Sequence, residues 1–170
     1  MEFLYIGISI EILFIKTILN YKFFEKFNFS HNVEKIVTGE ADAMLSGLTR
    51  NYTDGIKPAL HIIGTEEGVK KIAGMYLLLT KKGPLFLADT TVNINPNAEE
   101  LADIALQVAK EVRNFNIEPR IAMLSYSNFG SSDTPEARMV AEATRIIKQR
   151  NPSLIVDGEM QGMMAFNKEI

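Results

Sequence analysis

Residues 120–161 read RIAMLSYSNFGSSDTPEARMVAEATRIIKQRNPSLIVDGEMQ. Two short apolar runs, at 120–125 and 154–157, flank a segment at 135–150 in which apolar residues recur at helical spacing. The pattern predicts a strand, a helix and a second strand. A helix that connects two strands is typical of a parallel sheet, so this stretch indicates an α/β fold.

The helix predicted at 135–150 has a candidate cap and an apolar face. Val140, Ala143 and Ile147 form the predicted inward face of the helix at 135–150, which Asp133 or Thr134 would cap.

The helix predicted before the first strand covers residues 97–115, whose apolar side chains share one stripe. Asn97 and Glu100 can form a capping box at its start; alternatively, Asn95 caps it. Asn116 is expected to end the helix in the left-handed conformation.

A hairpin and a further helix are predicted between residues 53 and 92. The apolar runs 73–80 and 85–92 are separated by Lys-Lys-Gly-Pro, a turn signal, and predict a β-hairpin. Helical spacing at 53–63 predicts a helix, whose start Pro58 would shift to a later residue.

The aromatic residues are unevenly distributed along the chain. Of 15 Phe and Tyr residues, eight lie in the first 29 positions, and no Ala occurs before Ala41. This shift predicts an atypical aromatic-rich segment at 1–38 and a separate domain at 39–170. The apolar stretch 3–15 is shorter than the roughly 20 residues that cross a bilayer. It predicts a packed or sticky terminal helix and no membrane partner; a membrane-associated segment is the alternative.

Composition and charge exclude several classes of function. The 170 residues carry a net charge of −3 without a basic stripe, which argues against nucleic-acid binding. The absence of Cys excludes disulfides, a Cys-ligated zinc and a thiol nucleophile, and fits a cytoplasmic protein. Because there are only two His, acid–base chemistry would depend on carboxylates, Lys or Tyr. No metal site is predicted.

Two polar clusters follow the predicted strands, SYSNFGSS at 125–132 and DGEMQ at 157–161. Ligands of parallel sheets bind outside the carboxyl ends of the strands, where both clusters would lie. The first cluster leads into a helix N-terminus, whose free N–H groups favour an anion. The alternative is an ordinary polar loop with a capping residue.

Carboxylates and one arginine are further candidates for the site. Asp157 and Glu159 bracket a glycine and could bind a metal or act as a base; alternatively, Asp157 stabilises a turn. Asp89 and Thr90 lie in an otherwise apolar strand pattern, where a buried carboxylate would need a partner. Arg50 could meet an anion or pair with a surface carboxylate.

Several of these stretches together resemble the phosphate acetyl/butyryl transferase family. The resemblance spans about residues 39–167 and rests on GEADAMLSG at 39–47, LFLADTTVN at 85–93, NPNAEELADIA at 95–105, PRIAMLSYSNFGSS at 119–132 and DGEMQ at 157–161. It implies a three-layer parallel-sheet fold of the isocitrate/isopropylmalate dehydrogenase kind, present here in part.

Within the family, GLTRNY at 47–52 and ADTTV at 88–92 most resemble the C-terminal acyltransferase-like domain of bacterial NADP-dependent malic enzymes. Those enzymes convert malate to pyruvate, CO2 and NADPH. The resemblance implies that this domain senses acetyl-CoA and supports assembly into a homo-oligomer. NADP and a divalent metal belong to the malic-enzyme body, which these residues do not include. Stand-alone phosphate acetyltransferases more often carry Cys at the position of Thr90.

The resemblance also implies which residues bind a ligand. Ser127, Ser131 and Ser132 would line a phosphate or acetyl-CoA site. The same crevice would be shaped by Asp157, Glu159 and Gln161, with weaker support for Asp89, Thr90 and Arg50.

The catalytic groups of the family belong to a later Ser-Arg-Gly motif with a downstream Asp, in the C-terminal half that this chain is expected to lack. Met163 stands where Asp is common. The chain is therefore expected to be inactive alone. The alternatives are a fragment of a stand-alone phosphate acetyltransferase, which moves acetyl between coenzyme A and phosphate, and a non-catalytic assembly module.

Overall fold

The computed structural model describes residues 29–41, 52–65, 67, 69 and 71–166. The predicted terminal helix at 3–15 and Arg50 lie outside these residues. No helix in the described part of the chain has the length and apolar character needed to span a membrane. The chain divides into two compact units, with the division between Leu87 and Ala88.

Among the described residues of the first unit, two helices pack on each other, α1 (Phe29–Val37) and α2 (Tyr52–Ile62). The sequence pattern predicts no helix at α1. The later start expected for α2 is wrong, because the helix begins at Tyr52 and continues through Pro58. A proline removes one intrahelical hydrogen bond, and the packing of α2 on α1 offsets that loss.

The predicted hairpin is confirmed as β1 (Met75–Thr80) and β2 (Gly83–Ala88), which pair with each other. A two-residue connection makes the strands antiparallel. The Thr80 hydroxyl donates to the Gly83 carbonyl at 2.7 Å and accepts from the Lys82 N–H at 3.1 Å. These bonds hold the turn.

The strand predicted to reach residue 92 ends at Ala88 instead. Asp89 therefore lies after the strand, and its carboxylate accepts the backbone N–H groups of Val92 at 3.3 Å and Asn93 at 2.9 Å. A side chain that satisfies the backbone in this way favours a turn over a strand.

The second unit contains the predicted strand, helix and strand. Its elements are α3 (Ala98–Asn114), β3 (Arg120–Leu124), α4 (Pro135–Arg150), β4 (Ile155–Met160) and α5 (Gly162–Ala165). The strands β3 and β4 pair in parallel, which confirms the α/β class. Helices α3 and α4 pack on each other, and α4 packs on both strands.

The capping box at the start of α3 is confirmed. The Asn97 side chain accepts from the Glu100 N–H at 3.0 Å, and the Glu100 carboxylate accepts from the Asn97 N–H at 3.0 Å. The alternative cap, Asn95, is wrong, because α3 begins at Ala98. Asn116 follows the helix with φ of 58°, as expected.

The core of the second unit contains small side chains from the two helices, packed with larger apolar side chains. Its buried members are Ala102, Ala105, Ala109, Met123, Val140, Ala143, Ile146, Ile147, Leu154 and Val156. The predicted inward face of α4 is thus confirmed. At the surface, the Arg150 guanidinium pairs with Asp103 at 2.6 Å and also with Glu99, which ties the end of α4 to the start of α3.

Candidate functional site

The site is built around an irregularity in β4. The sequence predicts that the strand ends at Asp157 and that Glu159 lies beyond it. The strand extends to Met160 instead, so both carboxylates lie within it. Met123 pairs with Gly158 but Leu124 pairs with Met160, so Glu159 has no partner on β3. A residue left over in this way forms a bulge, which re-aims its side chain. The Glu159 side chain is thereby buried, with only 3% of the residue exposed.

The buried Glu159 carboxylate is held by the loop that follows β3. Its Oε1 accepts the Ser127 hydroxyl at 2.9 Å and the Gly130 N–H at 2.6 Å, and the Glu159 carbonyl accepts the Phe129 N–H at 2.9 Å. The Gly130 N–H is the main cause that lowers the pKa of Glu159; its own N–H and the Ser127 hydroxyl add to it, against burial, which raises it. The carboxylate is therefore kept ionised.

An ionised carboxylate fixes the direction of the neighbouring hydroxyl groups. It can only accept, so the single proton of the fully buried Ser127 hydroxyl points at Glu159. Ser131 Oγ, 3.2 Å from Ser127 Oγ, must then be the donor of that pair. Ser127 Oγ also accepts the Ser132 N–H at 3.1 Å. Its hydrogen-bonding capacity is thus filled within the protein.

Every backbone N–H group from residue 127 to residue 132 donates to an acceptor within the protein. The acceptors are, in order, Ser125 Oγ, Ser131 Oγ, Glu159 O, Glu159 Oε1, Asn128 O and Ser127 Oγ. Phe129 and Gly130 both have positive φ, 46° and 82°, in the turn that donates to Glu159. The backbone N–H groups of this loop are therefore occupied within the protein.

Hydrogen bonds hold the loop at both of its ends. Thr134 caps α4 by accepting the Ala137 N–H at 3.4 Å, and its hydroxyl also bonds the Tyr126 hydroxyl. At the other side, the exposed Gln161 donates its side-chain N–H to the Tyr126 carbonyl at 2.6 Å, and its backbone N–H to Asn128 Oδ1 at 2.8 Å. The end of β4 is therefore tied to the loop.

Asp157 has a different environment from Glu159. It is exposed, pairs with Lys148 at 2.9 Å and accepts the Gly158 N–H at 3.1 Å. The hydrogen bond to Lys148 is the main cause that lowers the pKa of Asp157, while burial raises it. The two carboxylates have separate partners. Among the residues that the structure describes, no group of three His or acidic side chains could hold a metal ion.

The structure joins five of the predicted site residues in one hydrogen-bonded cluster. They are Ser127, Ser131, Ser132, Glu159 and Gln161. Thr90 is exposed, Asp89 binds the turn that follows it, and Arg50 lies outside the described residues. Tyr126, Asn128 and Phe129 belong to the cluster but are not singled out by the sequence, because their contributions are made largely through the backbone or an amide that any polar loop could contain.

The arrangement defines an α/β protein whose parallel strands end in interlocked polar loops, the position at which such folds bind ligands. The chain belongs to the family described as phosphate acetyl/butaryl transferase, whose model matches residues 26–170. The match includes α1 and begins before residue 39, where the sequence predicts a boundary.

The similar proteins fall into two groups. The chain is 48% identical over 130 residues to the NADP-dependent malic enzyme of Haemophilus influenzae, covering 76% of this chain and 17% of that protein. It is 41% identical over 131 residues to the phosphate acetyltransferase of Bacillus subtilis, covering 77% of this chain and 41% of that enzyme. The chain therefore spans less than half the length of either relative.

Two solved phosphotransacetylases share the fold. The structure from Streptococcus pyogenes matches with a TM-score of 0.72 at 38% identity, covering 82% of this chain and 43% of that chain. The EutD phosphotransacetylase from Staphylococcus aureus matches with a TM-score of 0.67 at 31% identity, covering 78% of this chain and 42% of that chain.

Proposed function

We propose that this chain is part of the acyltransferase-like domain of an NADP-dependent malic enzyme, and that it binds acetyl-CoA or phosphate to regulate and assemble that enzyme. The observation that carries the proposal is the Ser127–Glu159 cluster at the carboxyl ends of β3 and β4. The identity of 48% to a malic enzyme supports the choice of parent protein.

A regulatory role is favoured over catalysis by the chemistry of the two carboxylates. Acetyl transfer from acetyl phosphate requires the coenzyme A thiol to lose its proton, and a free thiol has a pKa of about 8.5. The pKa values of Glu159 and Asp157 are both lowered. Each carboxylate is therefore a weak base for a thiol.

A stand-alone phosphate acetyltransferase is the second candidate. It is favoured by the identity of 41% to the Bacillus subtilis enzyme and by the two phosphotransacetylase structures. A non-catalytic assembly module is the third candidate. It is favoured by large apolar side chains that are more than half exposed, among them Leu124, Ile155, Met163 and Phe166.

Other parts of the proposal rest on the family resemblance. They are the three-layer isocitrate/isopropylmalate dehydrogenase-like fold, the homo-oligomer, the cytoplasmic location and the assignment of NADP and a divalent metal to the malic-enzyme body.

The test combines binding with activity on the purified chain. Isothermal titration with acetyl-CoA and, separately, with inorganic phosphate should show binding of at least one of them. An assay of acetyl-CoA formation from acetyl phosphate and coenzyme A should show no turnover, with the full-length Bacillus subtilis enzyme as the positive control.

The outcomes separate the three candidates. Turnover within about tenfold of the control would establish an acetyltransferase, because loss of a positioned base alone removes a factor of about 10²–10⁴. Absence of binding by both ligands would overturn the first proposal. Co-elution with the full-length malic enzyme of Haemophilus influenzae would then support the assembly module.

A further inference from the structure

We propose that Glu159 is a positioning residue, whose buried carboxylate holds the loop 127–132 in the conformation that presents Ser131 and Ser132 to the ligand. The inference rests on the proposed function, because it takes this loop to be the binding site. Glu159 itself does not touch the ligand in this proposal.

The position of Glu159 in the fold supports this role. The bulge in β4 turns the side chain inward, where the residue is 3% exposed. A buried carboxylate without hydrogen-bond donors is strongly unfavourable, so the donors must be supplied by the surrounding chain. Ser127 and Gly130 supply them from the loop, at 2.9 Å and 2.6 Å. The loop conformation and the ionised carboxylate therefore stabilise each other.

The Glu159 carboxylate also occupies the position that a bound anion takes in other loops rich in N–H groups. Its Oε1 lies where two donors of the loop converge, and all six N–H groups from 127 to 132 already have acceptors. The N–H groups of the loop are thus satisfied by acceptors of the protein itself.

The assignment of donors and acceptors within the loop determines which polar groups a ligand would contact. The protons of Ser127 and Ser131 are directed inward, towards Glu159 and Ser127 respectively. Ser131 is exposed and Ser132 is half-buried, so both residues are accessible to a ligand. Neutralising the carboxylate would weaken the hydrogen bonds from the Ser127 hydroxyl and the Gly130 N–H that hold the loop.

The test uses the isosteric Glu159→Gln variant of the full chain, with Glu142→Gln as the matched control. Glu142 is a helical carboxylate paired with Arg145 on α4, and its substitution removes the same charge without touching the loop. Backbone amide NMR reports the conformation of the loop, and titration with acetyl-CoA and with inorganic phosphate reports binding. In Glu159→Gln, the amide resonances of 127–132 should shift and their hydrogen exchange should accelerate. Affinity should fall about tenfold to a hundredfold, as expected for a displaced binding group.

A second measurement covers the case in which Glu159→Gln does not fold. In the wild-type chain, acidification should shift the Gly130 amide resonance as the carboxylate takes up a proton. The other ionisable side chains of the loop and of the packed elements are to be followed in parallel: Tyr126, Asp133 with Arg138, Asp157 with Lys148, Arg120, Glu136, Glu142 with Arg145, and Arg150 with Glu99 and Asp103. A Gly130 amide that does not follow the Glu159 titration would overturn the proposal.

Each failure has its own signature. If the wild-type chain binds neither probe, the proposed function falls, whatever the loop resonances show. If it binds and Glu159→Gln binds equally well, the positioning role is overturned while the proposed function stands. Equal loss of affinity in Glu142→Gln would also overturn it, since the effect would then be one of general charge.

Discussion

A Cβ atom on Gly158 would lie 2.6 Å from the carbonyl oxygen of Met123, its partner on β3, and 2.8 Å from the Met123 Cβ. Gly158 also has a φ of 140°, which side-chain-bearing residues rarely adopt. Because Glu159 follows directly, this close approach marks the point where the register of β4 shifts. The glycine in the Asp-Gly-Glu sequence is therefore required by packing.

Gly158→Ala should destabilise the chain by about 2–4 kcal/mol, through backbone strain and overlap with Met123. Urea denaturation followed by circular dichroism measures the change. Gly162→Ala is the matched control, because a Cβ at that position would meet nothing within 4 Å. Equal stability of the two variants would show that β4 shifts easily away from β3.

Ser127→Ala should cost more stability than Ser131→Ala. The first variant leaves the Ser132 N–H without its acceptor and removes one of the two loop donors to the buried Glu159 carboxylate, at a cost of about 1–3 kcal/mol. The second removes an exposed hydroxyl, and water can replace its bond to the Asn128 N–H. Chemical denaturation of both variants gives the comparison. A larger loss of stability in Ser131→Ala would contradict the assignment of donors and acceptors in the loop.

Acidification should destabilise the wild-type chain more than Glu159→Gln. The pKa of Glu159 is lowered from its ordinary value of 4.5, so the native state binds this proton less readily than the unfolded state. The stabilisation is thus present above the unfolded pKa and is lost as the pH falls through the folded pKa.

Stability measured from pH 7 down to pH 3 tests this prediction. The acid-side slope should become shallower in Glu159→Gln. Asp157→Asn is the comparison: its pKa is also lowered, but the side chain is exposed, so solvent screens the effect. An unchanged slope in Glu159→Gln would show that the carboxylate titrates alike in both states.

Asn97→Ala should destabilise the chain by about 1 kcal/mol, because it removes the side chain that caps α3. Asn95→Ala, two residues earlier and outside the capping box, should stay within about 0.5 kcal/mol of the wild type. Thermal unfolding of the two variants measures this difference. The reverse order would place the start of the helix at the other asparagine.

The sequence predicts α3 and α4 well because periodicity, caps and stop residues agree there. In α4, the inward face and Thr134 both appear as expected, since the local signals are strong and the packing uses them directly. In α2, Pro58 leads to a wrong prediction of where the helix begins, because tertiary packing tolerates a residue that local propensity disfavours.

The interior of the site is harder to predict, for a physical reason. Asp-Gly-Glu ends the apolar run of β4, so the pattern predicts that the strand stops there. Pairing with β3 continues it to Met160, and the bulge buries Glu159. Ser127 lies 32 residues away along the chain. Nothing in the residue types alone tells which of the two carboxylates, Asp157 or Glu159, faces the loop.

The fully bonded loop at 127–132 also has an entropic consequence. A loop that becomes ordered only around its ligand loses conformational entropy during binding, at roughly 1–2 kcal/mol for each residue whose backbone is fixed. Here that ordering accompanies folding, because Glu159 and the serine hydroxyl groups already satisfy the backbone. Binding at this loop should therefore resemble association with a rigid surface, with little change in heat capacity from chain ordering and an on-rate that no loop closure limits.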